Sequence, residues 1–239
     1  MLLTALMQGG LSSARLMMAV VPIGILLAIL DLTGISLRFA TAINVISDAN
    51  LFIALLVTAG ACLMLGMGMP TFPAYLIIVL VLGPGIKQLG IPDVAVHMFV
   101  FYFGVLSAVT PPVAIAAFAA APISGASPMG TAAMAVGLAL SGFLIPFVFV
   151  YNQSLLLILG FEWGELAWVI LRLSLAVYLV ATAIAGFENL RLAMWSRVLR
   201  LVAVALILTV MLPYQLGGIA LAVVLMLLAR RPGVRAVAA

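Results

Sequence analysis

The sequence contains very few charged residues. Only 7% of its 239 residues are Asp, Glu, Lys or Arg, whereas 67% are hydrophobic. A soluble globular domain has about 25% charged and about 45–50% apolar residues. Because so few charges cannot cover a water-facing surface of this size, the composition excludes a soluble enzyme, a disordered chain and a nucleic-acid binder. It predicts a polytopic protein of the lipid bilayer.

Cysteine and histidine are almost absent. Cys62 is the only cysteine and His97 the only histidine. A single cysteine excludes an internal disulfide and a cysteine-based metal cluster. A single histidine likewise excludes a histidine-rich catalytic or metal site.

Long uncharged stretches dominate the chain. Residues 49–86 and 94–161 contain no Asp, Glu, Lys or Arg. A membrane helix needs about 20 apolar residues, so the chain has room for about seven or eight crossings. We expect apolar segments over residues 16–30 and 166–187 and one long apolar helix over residues 131–150. A polar connection over residues 188–200 would lead into a helical hairpin formed by residues 201–212 and 216–229.

The few cations predict an orientation. Two groups of arginines flank the expected hairpin: Arg191, Arg197 and Arg200 before it, and Arg230, Arg231 and Arg235 after it. Cationic loops stay on the cytoplasmic side of a membrane. Since a hairpin crosses the membrane twice, both groups lie on one side, and the C-terminus is predicted to be cytoplasmic.

Two polar breaks interrupt the uncharged stretches, one over residues 66–71 and one over residues 107–112. Pro111 and Pro112 remove two backbone donors in succession, so Thr110 and Pro111 should leave the helix. An unpaired backbone group in lipid costs several kcal/mol, so such breaks survive where protein buries them or where they line a wet cavity. Secondary transporters use broken helices to bind Na⁺ and anionic substrates. The alternative is a proline kink or a tight turn at the membrane surface.

The residues around both breaks resemble a known family. Residues 65–71 (LGMGMPT) with Ala74-Tyr75, residues 95–107 (AVHMFVFYFGVLS) and residues 110–114 (TPPVA) are similar to the large membrane component of tripartite ATP-independent periplasmic (TRAP) transporters. The HMFVFYFG and GMGMPT segments, and residues 146–152, resemble the fused subclass that works with TAXI-type receptors. The resemblance extends over residues 16–230.

The resemblance implies a Na⁺-driven symporter that imports small organic anions across the bacterial inner membrane. Its partners would be a periplasmic TAXI-type receptor and an N-terminal half or small membrane subunit. It implies no cofactor and no metal beyond Na⁺ as the coupling ion. The fold class would be all-α, with broken helices and re-entrant hairpins that form one repeat of an inverted-repeat, elevator-type transporter. The chain is similar to the C-terminal portion of that component.

These features divide the chain into three regions. Residues 1–48 are expected to form an N-terminal membrane segment and connection. Residues 49–152 would be the transport-domain repeat that contains both breaks. Residues 153–239 would be C-terminal transmembrane helices with a cytoplasmic tail.

Three residues are candidates for cation binding. Gly66 and Gly68 would leave backbone carbonyls free for Na⁺, which prefers oxygen ligands; the alternative is close packing of helices at small residues. Thr110 would supply a carbonyl and a hydroxyl oxygen to the same ion.

Five further residues are assigned to the breaks. Thr71 and Ser107 are candidates for the substrate pathway. The alternatives are an N-cap for Thr71 and a hydrogen bond back to the helix for Ser107. The breaks themselves are shaped by three prolines: Pro70, Pro111 and Pro112.

Asp93, His97 and Arg172 have competing interpretations. Asp93 and His97 are four residues apart and would share a helix face, which favours an ion pair or proton relay. The alternative makes Asp93 a helix cap and His97 an interfacial residue. Arg172 would extend to the membrane interface or bind a substrate carboxylate.

Two other functions compete with transport. An intramembrane hydrolase would use Ser107 as nucleophile and His97 as base, but ten helical residues separate them by ~15 Å, so we expect no enzyme. A truncated subunit would pack with a partner half without transporting.

Overall fold

A computed structural model describes residues 2–157, 161–188 and 191–230. Its contacts divide the chain into an N-terminal unit, Met1–Ala133, and a C-terminal unit, Met134–Ala239. In the described residues the structure is built from α-helices and short 3-10 turns, which confirms the all-α fold class. The predicted divisions at residues 1–48, 49–152 and 153–239 describe roles in transport. A division by contacts does not test such roles, so they stay predictions.

The N-terminal unit contains six helices: α1 (Leu2–Thr33), α2 (Ile35–Ala49), α3 (Leu51–Gly66), α4 (Thr71–Lys87), α5 (Asp93–Ser107) and α6 (Ile115–Ser124). Helices α3, α4 and α5 pack against one another, and α2 packs on α3 and α4. Asn50 caps α3, because its side chain accepts hydrogen bonds from the amides of Phe52 and Ile53. The core of this unit is apolar and includes Leu55, Ile78 and Phe99.

Helix α7 (Pro128–Ala139) bridges the division between the units. The C-terminal unit continues with a 3-10 turn (Gly142–Leu144), α8 (Ile145–Tyr151), a second 3-10 turn (Gln153–Leu156), α9 (Trp163–Ala185), α10 (Met194–Ile207) and α11 (Leu212–Arg230). Helices α9, α10 and α11 share one apolar cluster: Ala176, Leu179, Val180, Ala203, Val204, Ile207 and Ala222.

The single helix predicted over residues 131–150 was wrong. The structure divides it into α7 and the segment Gly142–Tyr151, which are bent by 55°. Pro146 has no amide hydrogen for the carbonyl four residues earlier, and its ring clashes with that turn. Pro146 accordingly lies in the first turn of the second piece, where a helix tolerates proline, and the predicted end at Tyr151 is correct.

The predicted hairpin forms with different boundaries. Helix α10 begins at Met194, so Arg197 and Arg200 lie in the helix and not in a polar connection. The break falls before Leu212, and Pro213 lies in the first turn of α11. A proline is tolerated there because the first turn has no intrahelical acceptor for its amide.

Two helices are long and apolar enough to cross a membrane: Trp163–Ala185 and Leu212–Ala229. The bent pair Pro128–Ala139 and Gly142–Tyr151 makes a third candidate if it forms one broken span. Four shorter apolar helices, α3 to α6, have 10–17 residues. The described residues thus contain up to three spans by length and composition, fewer than the seven or eight that the chain length allows.

Candidate functional site: two adjoining helix breaks

The structure places the two predicted breaks side by side in the N-terminal unit. Helix α3 ends at Gly66 and α5 ends at Ser107. A Cβ atom added at Gly66 would lie 2.5 Å from Ser107 Oγ and 2.9 Å from Ser107 Cβ. Real Cβ atoms do not approach so closely, so glycine is what allows these two helix ends to meet.

The first break has an open backbone. Gly68 has a φ of +79°, a conformation that side chains with a Cβ rarely adopt. The amide of Met69 donates a 3.4 Å hydrogen bond to the Gly66 carbonyl. Among the described residues, no amide donates to the carbonyls of Met67, Gly68 or Met69. This break therefore offers carbonyl oxygens, and the Gly66 carbonyl, which accepts one hydrogen bond, keeps a second lone pair. Cation binding at Gly66 and Gly68 stays a prediction.

The second break is a short loop between α5 and α6, closed by a 3.0 Å hydrogen bond from the Ala116 amide to the Ala108 carbonyl. It contains the Pro111-Pro112 peptide bond, which is cis. No described amide donates to the carbonyls of residues 109–113. The prediction that Thr110 and Pro111 leave the helix is confirmed.

Thr110 and Ser107 both bond back to α5. Thr110 Oγ1 donates to the Leu106 carbonyl at 2.8 Å, and Ser107 Oγ donates to the Gly104 carbonyl at 2.6 Å. A hydroxyl that donates its hydrogen keeps lone pairs as an acceptor, so the Thr110 oxygen is still a suitable cation ligand. Ser107 is buried against Gly66, which agrees with its alternative, structural interpretation.

The two breaks touch at a second point, where Gly68 faces the loop between α5 and α6. A Cβ at Gly68 would lie 3.3 Å from Val113 Cγ1. The two breaks, residues 66–71 and 107–113, thus adjoin and contain no charged side chain, and their polar groups are neutral carbonyl and hydroxyl oxygens. Such a donor set suits a hard cation like Na⁺, and in the described residues no group of His, Cys, Asp and Glu could hold a metal ion.

The cap predicted at Thr71 was wrong. Pro70 occupies the N-cap position of α4 without a side-chain hydrogen bond, and Thr71 is the first helical residue and exposed. Proline fixes the backbone for a helix start, so a threonine cap is not needed. A role for Thr71 in the substrate pathway stays a prediction.

The predicted pair of Asp93 and His97 does not form. Asp93 Oδ1 lies 3.1 Å from Lys87 Nζ. His97 Nδ1 lies 2.8 Å from the Tyr75 hydroxyl. Asp93 is not the cap either, because Pro92 holds that position. Ser107 and His97 have different hydrogen-bond partners, so they do not form the nucleophile–base pair that an intramembrane hydrolase would need.

Arg172 does not extend to the end of its helix. It is the tenth residue of α9, is 5% exposed, and donates to Asn152 Oδ1 at 3.0 Å and to the Ile207 carbonyl at 3.4 Å. The predicted extension was wrong, because Asn152 and the end of α10 provide polar partners inside the C-terminal unit.

The sequence reading missed a polar cluster where α9 ends. Arg197 donates to the carbonyls of Ala183 and Ile184 at 2.6 and 3.2 Å. Arg200 is fully buried, pairs with Glu188, and donates to Thr182 Oγ1 at 2.6 Å. The feature of the sequence that could have indicated this cluster is Glu188, an isolated acidic residue just before a group of arginines.

These features define an integral membrane protein of the all-α class, with broken helices that adjoin at an uncharged junction. A protein-family comparison gives the particular family. The family described as tripartite ATP-independent periplasmic transporter, DctM component, matches residues 1–163. The chain therefore belongs to this family. No curated protein and no solved structure matches the chain.

Family membership establishes a coarse function. The chain is a membrane component of a TRAP secondary transporter, located in the inner membrane. The family works with a periplasmic solute-binding receptor and other membrane subunits, and it is a family of transporters, not of enzymes. Both breaks lie within the matched residues, whereas Arg172 and Arg200 lie beyond them.

Proposed function

We propose that this chain is the C-terminal portion of a TRAP large membrane component of the TAXI-associated subclass, and that it couples Na⁺ entry to import of a small organic anion. The observation that carries the proposal is the junction of the two breaks, where Gly66 meets Ser107 without charged side chains.

The cation site of the proposal uses neutral oxygens. The carbonyls of Gly66, Gly68 and Thr110 and the Thr110 hydroxyl are its ligands, and Pro70, Pro111 and Pro112 keep the backbone open. Oxygen ligands without a fixed negative charge hold Na⁺ weakly enough for release, which transport requires. Thr71 and Ser107 border the substrate pathway in this proposal, and the C-terminus is cytoplasmic, although residues 231–239 lie outside the described residues.

A thermal-shift experiment tests the cation site without knowledge of the substrate. The full chain in detergent is unfolded in NaCl and in KCl at equal ionic strength. We expect a higher melting temperature in Na⁺, because a ligand that binds only the folded state stabilises it. Thr110→Val should raise the half-saturating Na⁺ concentration about tenfold, the effect of about 1.4 kcal/mol for one lost ligand.

Thr58→Val is the matched control. Thr58 bonds back to Ala54 inside α3, away from the break, so this variant should keep the wild-type Na⁺ response. Equal melting temperatures in Na⁺ and K⁺ would overturn the cation site.

Transport is tested in proteoliposomes. The chain is reconstituted with the receptor and membrane subunits encoded beside it, and uptake of labelled dicarboxylates, sugar acids and amino acids is measured with and without an inward Na⁺ gradient. We expect uptake that needs both Na⁺ and receptor. Stable assembly with a partner half but no uptake of any of these anions would instead support a non-transporting subunit.

A further inference from the structure

The segment between α9 and α10 has an excess of positive charge. Residues 186–200 include three arginines, at positions 191, 197 and 200, and one acidic residue, Glu188. Glu188 pairs with the buried Arg200, and Arg197 donates to carbonyls at the end of α9. Arg191 is exposed, and its guanidinium has no hydrogen-bond or ion-pair partner among the described residues. Arg191 is therefore available to bind an anion.

The backbone holds Arg191 next to the end of α9. Phe187 and Arg191 form an isolated antiparallel bridge, and the Leu192 amide donates to the Gly186 carbonyl at 2.8 Å. Helix α9 ends at Ala185, two residues before Phe187. The bridge therefore fixes the position of Arg191 just beyond the end of a candidate membrane span.

This position corresponds to the level of lipid headgroups. The 23 residues of α9 extend over about 34 Å, and the hydrocarbon core of a bilayer is about 30 Å thick. Exposed aromatic rings lie at both ends of α9: Trp163 at its start, and Phe187 and Trp195 beyond its end. Because tryptophan is enriched where membrane and water meet, these rings indicate the two interfaces. Arg191 therefore lies at one of them.

The opposite end of α9 has the opposite charge. Glu162 precedes the helix and Glu165 lies in its first turn, and both are exposed. Residues 142–171 and 201–229 contain no Lys or Arg. An anionic lipid would be repelled by the acidic end and attracted by the end that carries Arg191.

We propose that the segment between α9 and α10 binds the headgroup of an anionic phospholipid, with the Arg191 guanidinium on the phosphate. The Phe187 and Trp195 rings lie beside the upper part of its acyl chains. An arginine offers N–H donors in the geometry that phosphate oxygens accept. The ligand is a lipid because an integral membrane chain meets lipid at this level. The proposal does not depend on the cation junction or on the transported solute.

Native mass spectrometry of the full chain in detergent tests this lipid site. The delipidated chain is titrated with phosphatidylglycerol or with phosphatidylcholine of the same acyl chains, and the dissociation constant of the first bound lipid is measured. We expect wild type to bind phosphatidylglycerol about fivefold more tightly, which corresponds to about 1 kcal/mol for one arginine at an anionic lipid surface. Arg191→Gln should remove this preference and leave the affinity for phosphatidylcholine unchanged.

Arg38→Gln is the matched control. Arg38 is an exposed arginine of α2, in the N-terminal unit, so this variant removes the same charge elsewhere and should keep the preference. If wild type binds both lipids equally, or if Arg38→Gln weakens the preference as much as Arg191→Gln does, the proposal is wrong. Equal binding would leave Arg191 for an acidic protein segment. Inorganic phosphate should not displace phosphatidylglycerol; displacement would mean that Arg191 binds free phosphate, which would also overturn the lipid site.

Discussion

In the N-terminal unit, the helix ends at Gly66 and Ser107 meet without a charged side chain, whereas in the C-terminal unit α9 and α10 are joined by two arginines, the half-buried Arg197 and the buried Arg200. At the first junction, backbone carbonyls of both breaks accept no hydrogen bond from an amide in the part of the chain that the structure describes. At the second, Arg197 donates to the carbonyls at the end of α9, and Glu188 neutralises Arg200. The two units therefore accommodate polar groups in an apolar chain in different ways: the first with neutral backbone oxygens, the second with arginines that have hydrogen-bond or carboxylate partners.

The two solutions suit different tasks. A junction of neutral oxygens binds a cation weakly and releases it again. A buried ion pair is costly to separate, because either ion alone in a low dielectric is strongly disfavoured. The ion pair of the C-terminal cluster therefore suits a rigid connection between α9 and α10, whereas cation binding at the N-terminal junction stays a proposal.

Removing Arg200 should have the largest effect. Arg200→Met leaves Glu188 without its partner, and breaking a buried pair costs about 3–5 kcal/mol. Thermal unfolding in detergent, followed by circular dichroism, should show a large fall in the melting temperature. The double variant Arg200→Met/Glu188→Leu should recover much of that loss, because it leaves no lone charge. If Arg200→Met were as stable as wild type, the ion pair between Arg200 and Glu188 would not be what holds α9 and α10 together.

The packing of α10 on α11 gives the second prediction. A Cβ at Gly218 would lie 2.8 Å from the Ile207 amide nitrogen and 2.9 Å from the Ala203 carbonyl oxygen. Because these obstacles are backbone atoms, Gly218→Ala must separate the helices, and overpacking costs about 1–3 kcal/mol.

The control is the adjacent glycine. A Cβ at Gly217 would meet nothing within 4 Å, so Gly217→Ala should be neutral or slightly stabilising in the same unfolding measurement. Equal effects of the two variants would mean that helix propensity, not contact, decides.

Much of the N-terminal unit could be predicted from the sequence. Both breaks fall where glycine and proline accumulate, and Ser107 ends its helix. These features are local, since proline and glycine act on their own turn of backbone. The motifs around them also indicated the family.

The C-terminal unit was predicted less well. Arg172 and Arg200 looked like interfacial or loop charges, but both are buried. Their partners are Asn152, 20 residues before Arg172, and Glu188, 12 residues before Arg200. Only tertiary packing brings these groups together, so the spacing of the residues along the sequence does not indicate the contacts.

Gly66→Ala probes the N-terminal junction and should have a smaller effect than Gly218→Ala. Ser107 Oγ can rotate away from the new methyl group, but Ser107 Cβ at 2.9 Å cannot, so the helix ends must shift slightly. Because no backbone atom is in the way, as at Gly218, we expect a loss near the lower end of about 1–3 kcal/mol. Gly60→Ala, on the same helix with nothing within 4 Å, is the control.

A double variant identifies the contact at Gly66. Adding Ser107→Gly to Gly66→Ala removes both atoms that would lie within 3 Å of the new methyl group and leaves only the ordinary contact with Ile78 Cδ1 at 3.5 Å. Stability should therefore recover relative to the sum of the single effects, which a double-mutant cycle measures. Strictly additive effects would mean that the two helix ends do not touch.

The smallest predicted effect concerns the hydrogen bond between α4 and α5. The Tyr75 hydroxyl lies 2.8 Å from His97 Nδ1, and both residues are half-buried. Tyr75→Phe removes this bond but keeps the ring that packs edge-on against Phe101 at 5.9 Å. The expected loss is about 1 kcal/mol, the usual net contribution of one such bond.

Tyr102→Phe, whose hydroxyl has no hydrogen bond in the described residues, should leave the melting temperature unchanged. A loss of 3 kcal/mol or more at Tyr75, against about 1 kcal/mol for an ordinary bond, would contradict the comparison. It would mean that a polar side-chain pair, rather than uncharged close packing, holds the N-terminal helices together.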